Sequence, residues 1–276
     1  MAAPLNIVGA GHVGRALGRL FAARGVFAVQ DVLTRGIDSA RAAAAFIGAG
    51  QAVDGAGALR PAAVWMLAVA DDRIGEVAAT LAASVPLQGA VVFHCSGAKA
   101  SSELAAMRAA GAHVASVHPV RSFADPATVA AHFDGTFCGV EGDAAALALL
   151  LPAFAAIGAR PVRIDAAAKT VYHAASVFAS NYLVTVLDAA LRAYQAAGIP
   201  RDVAMELARP LAGESLANVF RLGPETALSG PIARGDAATV ARQQAAVGAW
   251  DAPTGNLYDA LATATWDLAR RKHDRA

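Results

Sequence analysis

A glycine-rich run near the start of the chain has the spacing of a phosphate-binding loop. Gly9, Gly11 and Gly14 follow an apolar run at residues 5–8 and precede an amphipathic helix predicted over residues 13–24. Glycines in this order allow a tight turn, a close approach of backbone to a pyrophosphate, and close packing of helix on strand. The helix N-terminus then offers free N–H groups and a partial positive charge to the phosphates. The predicted dinucleotide contacts in this loop are Gly9, Gly11, His12, Val13 and Gly14.

The end of the second predicted strand indicates which dinucleotide binds. An NAD site usually has an acidic residue there, which bonds the ribose hydroxyls. This strand instead ends at Thr34 and Arg35, and a guanidinium suits a 2′-phosphate and stacks on adenine. We therefore predict NADP rather than NAD, with Thr34 and Arg35 as contacts. Two alternatives stay open: Asp31 or Asp38 could bind an NAD ribose, and Arg35 could be a surface residue without a ligand.

Two later predicted strands end in loops that belong to the same predicted site. Val69 and Asp71 follow one of them, and Ser96 and Gly97 follow the next. In an open α/β sheet, ligands bind outside the carboxyl ends of the strands. We expect these four residues to flank the nicotinamide ribose, although Asp71 could equally be a helix cap.

A polar stripe on a strongly apolar helix marks the candidate catalytic region. Lys169, His173, Ser176 and Ser180 fall at i, i+4, i+7 and i+11 of a helix predicted over residues 166–197. A lysine on so apolar a helix should face a cavity or an interface, because burying an unpaired ammonium is costly. The stripe therefore predicts a site or a subunit contact.

Four residues are the candidates for chemistry. Lys169 would donate or accept a proton at a substrate oxygen, His173 and Asn181 would orient the substrate, and His118, at the end of another strand, would be a general acid. The alternatives are a lysine at an exposed helix end, a histidine satisfied inside a dimer core, and a His118 that is only a satisfied loop residue.

The elements that must position these residues indicate two domains. Apolar runs alternate with helical patterns over residues 1–165, which is typical of a parallel sheet covered by helices on both faces, the Rossmann arrangement. Residues 166–276 show helical patterns and no strand pattern. We predict an α/β chain with a dinucleotide-binding Rossmann domain at residues 1–165 and an all-helical substrate and dimerisation domain at residues 166–276. The apolar helices exceed what one small domain could bury, so we expect a homodimer.

The composition excludes several classes of protein. Hydrophobic residues make up 56% of the 276 residues and charged residues 16%, which is the opposite of a disordered chain. The net charge of +1 and the lack of a basic aromatic run argue against nucleic-acid binding. The charge-free residues 144–159 are too short to cross a membrane, and no secretory signal is visible. We expect a cytoplasmic protein with a small-molecule substrate, no metal and no membrane contact.

The chain resembles the 6-phosphogluconate dehydrogenase and β-hydroxyacid dehydrogenase-like superfamily. Within it, the match is to a small family that joins a Rossmann-like domain to a C-terminal domain of unknown function, near deazaflavin-dependent NADP oxidoreductases. Besides the glycine loop, the resemblance is carried by residues 94–98, 118–125, 169–182 and 229–236.

This resemblance implies an all-helical C-terminal domain and an NADP-dependent oxidoreductase that transfers hydride between nicotinamide and a small carbonyl, hydroxy or imine substrate. Lys169 matches a lysine of the hydroxyacid dehydrogenases, but His173 replaces their asparagine, which puts a β-hydroxyacid substrate in doubt. Two other functions stay open: a non-catalytic NADP(H)-binding or sensing protein, and a deazaflavin-dependent NADP reductase.

Overall fold

The computed structural model describes residues 1–274, and its contacts divide the chain into two compact units, Met1–Ala179 and Ser180–Ala276. The division falls after the boundary at residue 165 that the sequence predicts. The reason is that the first helical residues after 165 place side chains, including Lys169, against strands of the first unit.

The first unit contains one twisted sheet of eight strands within the described residues. The spatial order of the strands is β3-β2-β1-β4-β5-β6-β7-β8, and every neighbouring pair is parallel except β6 and β7, which are antiparallel. The mostly parallel Rossmann sheet is therefore confirmed, while β3 and the reversed strand were not predicted. The strands are β1 (Ala3–Val8), β2 (Phe27–Leu33), β3 (Gln51–Val53), β4 (Val64–Leu67), β5 (Val91–His94), β6 (His113–Pro119), β7 (Phe137–Gly142) and β8 (Arg160–Arg163).

Helices cover both faces of this sheet, because alternate residues of the central strands point to opposite sides. Val64 and Met66 of β4 belong to one buried cluster, and Trp65 and Leu67 belong to the other. The helices of the first unit are α1 (His12–Ala23), α2 (Ile37–Ile47), α3 (Ile74–Ser84), α4 (Ala105–Ala109), α5 (Pro126–Ala131), α6 (Ala144–Ala156) and α7 (Lys169–Val177).

The second unit is helical throughout its described residues, as the sequence predicts. The predicted long helix changes type along its length, because a π-helical turn at Phe178–Tyr182 separates α7 from the next helix. Such turns occur often at functional sites. The remaining helices are α8 (Leu183–Ala196), α9 (Arg201–Leu222), α10 (Pro224–Ala227), α11 (Gly230–Ala233), α12 (Ala237–Trp250) and α13 (Ala252–His273).

One helical segment, Ala166–Ala196, is long and apolar enough to cross a membrane by length and composition. The sequence analysis considered residues 144–159 for this property and did not single out this longer segment. Several apolar side chains of this segment are exposed in the single chain, among them Val171, Phe178 and Val184.

Candidate functional site

The glycine loop connects β1 to α1 in the predicted strand–turn–helix arrangement. Gly9 has a φ of +83°, and a Cβ added there would lie 2.7 Å from the carbonyl group of Ala68. A Cβ on Gly14 would lie 2.5 Å from the carbonyl oxygen of Gly9. The packing of the chain itself therefore requires glycine at both positions.

Gly11 differs from the other two glycines of the loop. A Cβ added to Gly11 would meet no atom within 4 Å, and its φ of −68° is open to any residue. The fold therefore does not require glycine at this position. A ligand that lies against the backbone would require it, because a side chain would occupy the ligand's place. Gly11 directly precedes α1, so the space above it faces the N–H groups at the positive end of the helix dipole.

A cavity of about 710 Å³ opens beside this loop, at the carboxyl ends of β1, β2 and β4. Five of the predicted cofactor contacts line it: Gly9, Gly11, Thr34, Arg35 and Val69. Six others, His12, Val13, Gly14, Asp71, Ser96 and Gly97, lie outside its lining. We call this space the glycine-loop cavity. Its position matches the rule for ligand sites in open α/β sheets.

Three guanidinium groups line the glycine-loop cavity, and the sequence analysis identified only that of Arg35. Arg15 is on α1, and its Nε donates to the carbonyl oxygen of Ala10 at 3.0 Å. Arg73 precedes α3 and pairs with Glu76 at 2.9 Å. Arg15 follows Gly11 by four residues, so helical periodicity could have placed it on the same face. The cavity therefore has a positive rim that suits a phosphate.

Neither carboxylate that could bind an NAD ribose lines this cavity. Asp31 is fully buried in β2, and its oxygens accept from the backbone N–H of Arg60 at 2.8 Å and from the Nε of Arg60 at 3.1 Å. Asp38 is exposed and pairs with Arg41 at 3.0 Å. Asp31 is therefore a structural residue of the sheet, in agreement with its place inside the strand.

Two of the predicted contacts outside the lining, His12 and Asp71, have other positions in the structure. The Nδ1 of His12 donates to the carbonyl oxygen of Phe123 at 2.5 Å, which joins the start of α1 to the loop after β6. Asp71 lies one residue after the cap position of a short 3-10 helix, Asp71–Arg73, so it is not the cap that the alternative interpretation foresaw.

A second polar group lies farther along the same sheet edge, at the ends of β5 and β6. We call it the histidine cluster, and its members are His94, His118, Tyr172 and His173. The Oη of Tyr172 lies 3.0 Å from the Nδ1 of His118. The His118 ring is edge-on to the rings of Tyr172 and His173, at centroid distances of 5.6 and 5.5 Å. The predicted residues His118 and His173 are thus brought together, while Tyr172 was not predicted.

Two glycines make room for the histidine cluster. A Cβ on Gly97 would lie 2.2 Å from the Nδ1 of His173 and 2.8 Å from the Nε2 of His118. A Cβ on Gly139 of β7 would lie 2.3 Å from the Oη of Tyr172. Gly97 therefore contacts the histidine cluster rather than the glycine-loop cavity.

The three imidazoles have different hydrogen-bonding states. The Nε2 of His94 donates to the carbonyl oxygen of Ala100 at 3.1 Å, and its Nδ1 accepts from the backbone N–H of Ser96 at 3.2 Å. Burial lowers the pKa of His94 to about 4, so it is neutral near pH 7. By contrast, the Nδ1 of His173 is buried without a hydrogen-bond partner among the described residues. A buried polar atom of this kind is usually hydrogen-bonded to a water or a ligand in a native structure.

Lys169 is buried, with 1% of its side chain exposed, so the interpretation of an exposed helix end is wrong. Its ammonium donates to the Oγ of Ser116 and lies 3.7 Å from a carboxylate oxygen of Glu141. Glu141, which the sequence analysis missed, also accepts from the backbone N–H and the Oγ of Ser101, both at 2.7 Å. Burial lowers the pKa of Lys169, while the Glu141 carboxylate opposes that shift.

Asn181 belongs to the second unit and lies in the π-helical turn. Its side chain is exposed, and its Oδ1 accepts from the Oγ of Ser180 at 2.9 Å. The role predicted for Asn181 in orienting a substrate stays a prediction.

Comparisons with known proteins agree with this arrangement. A Rossmann-like family profile matches residues 3–119, and a profile named DUF2520, a domain of unknown function, matches residues 136–265. The chain joins a Rossmann-like domain to a DUF2520 domain. The predicted resemblance to this small family is therefore confirmed. No curated protein matches the sequence.

Three solved structures are similar to this Rossmann–DUF2520 chain over nearly its whole length. The candidate NADP oxidoreductase BF3122 from Bacteroides fragilis is 20% identical, with a TM-score of 0.78 over 96% of this chain and 98% of that one. Protein TM1727 from Thermotoga maritima is 27% identical, with a TM-score of 0.76 over 98% and 99%. A reductive aminase from Aspergillus terreus, solved with NADPH and ethyl-5-oxohexanoate, is 16% identical, with a TM-score of 0.67 over 100% and 95%.

Proposed function

We propose that this Rossmann–DUF2520 chain is an NADP-dependent oxidoreductase that transfers hydride between nicotinamide and a small carbonyl, hydroxy or imine compound. The observation that carries the proposal is the open backbone at Gly11 beside a cavity with three arginines. A pyrophosphate fits the first feature and a 2′-phosphate the second. The similar structures include an NADPH-bound reductive aminase and an NADP-bound imine reductase, which supports the same class of reaction.

Each part of the chain has a separate task in this proposal. Gly9 and Gly11 let the pyrophosphate lie against backbone N–H groups at the start of α1, and Arg35, with Arg15 and Arg73 on the same cavity, binds the 2′-phosphate. The bound nicotinamide supplies the hydride. The histidine cluster, on the same carboxyl edge of the sheet, holds the polar groups that receive the substrate's oxygen or nitrogen. The protein thereby supplies position and electrostatics, while the cofactor carries the difficult step.

The first experiment tests the cofactor. NADPH and NADH are titrated into the purified protein and followed by nicotinamide fluorescence. We expect saturable binding of NADPH that is at least about tenfold tighter than that of NADH, because a charged hydrogen bond to phosphate contributes more than 1.4 kcal/mol. Arg35→Ala should weaken NADPH binding and leave NADH binding unchanged. The matched control is Arg41→Ala, since Arg41 is on α2, outside the cavity lining, and pairs with Asp38 at the surface. No saturable signal from either nucleotide would refute the proposal.

The second experiment tests turnover. NADPH oxidation is measured with ethyl-5-oxohexanoate and ammonia, with pyrroline-5-carboxylate, and with a panel of cyclic imines and small ketones. A rate that depends on both substrate and protein supports the oxidoreductase. Tight NADPH binding with no turnover on the whole panel would favour a sensing protein. NADP reduction that occurs only with added reduced deazaflavin would favour the deazaflavin-dependent reaction.

A further inference from the structure

We propose that the Nε2–H of His118 is the group that donates a hydrogen bond to the substrate's carbonyl oxygen or imine nitrogen, and that Tyr172 is the positioning residue that fixes this tautomer of His118. The inference rests on the proposed function, because it assigns the polar end of the same site. It assigns Lys169 a supporting role, since the ammonium of Lys169 is already engaged by Ser116 and Glu141.

The tautomer follows from the hydrogen bonds of Tyr172. Burial raises the pKa of the phenol, so Tyr172 keeps its proton at neutral pH. Among the described residues, the Nδ1 of His118 is the hydrogen-bond partner of the Tyr172 hydroxyl. The proton of the phenol is then free to point at the Nδ1 of His118, 3.0 Å away. A neutral imidazole that accepts at Nδ1 carries its hydrogen on Nε2.

The imidazole of His118 is neutral over the physiological range. Burial, together with the nearby His173 and the Lys169 ammonium, lowers its pKa to about 4. The Lys169 ammonium thus adds to the effect of burial in keeping His118 neutral. A neutral imidazole donor can polarise a carbonyl without giving up its proton, an electrostatic role.

The Nε2 of His118 is also the nitrogen left for a ligand. Among the described residues, the His118 ring makes one hydrogen bond, through Nδ1 to Tyr172. Both nitrogens of the neighbouring His94 are already bonded. The ring is only partly buried, and its Nε2 side packs against the backbone of Gly97, where a side chain would clash with it. The Nδ1 of His173, which has no partner among the described residues, also packs against Gly97, and the two imidazole centroids are 5.5 Å apart. A substrate oxygen or nitrogen would therefore meet a donor at His118 with a second imidazole beside it.

The tautomer can be tested without a substrate, by nitrogen NMR of the full chain labelled with ¹⁵N-histidine. His118→Gln assigns the signals of His118, and His113→Gln, at an exposed position, controls for nonspecific shifts. We expect a neutral His118 with hydrogen on Nε2 from about pH 6 to 8. Tyr172→Phe should abolish this preference, while Tyr194→Phe, on α8, should not. If Tyr172→Phe does not fold, Gly139→Ala displaces the same phenol. A His118 that is protonated, or that carries its hydrogen on Nδ1, would overturn the proposal.

Turnover supplies the second readout once NADPH oxidation is observed with any compound of the panel. His118→Phe should lower kcat about 100-fold, the size of a lost transition-state donor. Tyr172→Phe should lower kcat about tenfold, the effect of losing a partner that orients an active group, with KM unchanged. Because His118 stays neutral, kcat should not change with pH. If an imidazolium were the acid, kcat would fall as the pH rises. Failure of NADPH to bind refutes the proposed function alone, whereas an unchanged kcat in both variants refutes the role of His118.

Discussion

The ammonium of Lys169 lies 3.7 Å from a carboxylate oxygen of Glu141, and both side chains are almost fully buried. Ser116 accepts from the lysine, and Ser101 donates twice to the glutamate, so each charge has hydrogen-bond partners as well as its counter-ion. The network connects the first turn of α7 to β6, β7 and the short helix that follows β5. It therefore fixes the position of α7, the helix that also carries Tyr172 and His173 of the histidine cluster.

We predict that Glu141→Gln lowers the free energy of unfolding by about 3 kcal/mol, because it leaves the Lys169 ammonium buried without a counter-ion. Urea denaturation at pH 7 measures the change. Glu103→Gln is the matched control, since Glu103 pairs with Lys99 at a partly exposed position, and it should cost about 1 kcal/mol or less. The double variant Lys169→Met, Glu141→Leu should recover part of the loss. A Glu141→Gln protein as stable as the wild type would contradict the prediction.

We predict opposite effects for two alanine substitutions in the glycine loop. Gly11→Ala should leave stability unchanged, because its Cβ meets nothing in the protein, but should weaken NADPH binding at least about tenfold by blocking the pyrophosphate. Gly14→Ala should destabilise the fold by about 1–3 kcal/mol, because its Cβ would overlap the carbonyl oxygen of Gly9. Thermal denaturation and NADPH titration separate the two. Equal NADPH affinity in Gly11→Ala and wild type would show that no phosphate lies at Gly11.

The parts of the site that the sequence predicts are those made by neighbours in the chain. The strand, glycine loop and helix at residues 3–23 follow from local patterns, and the lining residues Gly9, Gly11, Thr34, Arg35 and Val69 belong to loops that end parallel strands. Periodicity also predicts that Lys169 and His173 share a face of one helix. These inferences need no knowledge of which distant segments meet.

The parts that the sequence does not predict depend on distant partners. Lys169 and Glu141 meet because β7 runs antiparallel to β6, and an apolar run does not carry the direction of its strand. Tyr172 and His118 are 54 residues apart, and no local pattern links them. Asp31 resembled a ribose ligand until the structure placed the guanidinium of Arg60 on its carboxylate. Burial of a charge by a remote partner is invisible to periodicity.

We predict that stability falls as the pH is lowered from 7.5 to 5, in part because His94 is buried as a neutral imidazole. In the unfolded chain this histidine takes up a proton near pH 6.5, whereas in the folded protein its pKa is about 4. Between these values the unfolded state binds more protons, so stability is present above the unfolded pKa and is lost as pH falls.

His94 should contribute about 2 kcal/mol to this loss between pH 7.5 and 5. Denaturant unfolding at several pH values measures it, and His94→Gln should have a shallower dependence on pH than the wild type. The control is His113→Gln, because that imidazole is exposed in the folded protein. An identical slope in wild type and His94→Gln would mean that His94 titrates alike in both states.

The predicted homodimer has its support in the exposed apolar side chains of the helical unit. Phe220 is 87% exposed, Val184 67% and Leu211 61%, on helices α8 and α9. Exposed apolar side chains favour an interface, because folded proteins rarely leave large apolar patches in contact with water. A second copy of the same surface would cover it by two-fold symmetry, the commonest arrangement of soluble oligomers.

We therefore expect a dimer by light scattering at micromolar concentration. Leu211→Glu should shift the protein toward monomer, since it would bury a charge in the apolar interface. Val162→Glu, at an exposed apolar position of β8 in the first unit, is the matched control and should leave the dimer intact. A wild-type monomer would refute the prediction and would require another cover for α8 and α9.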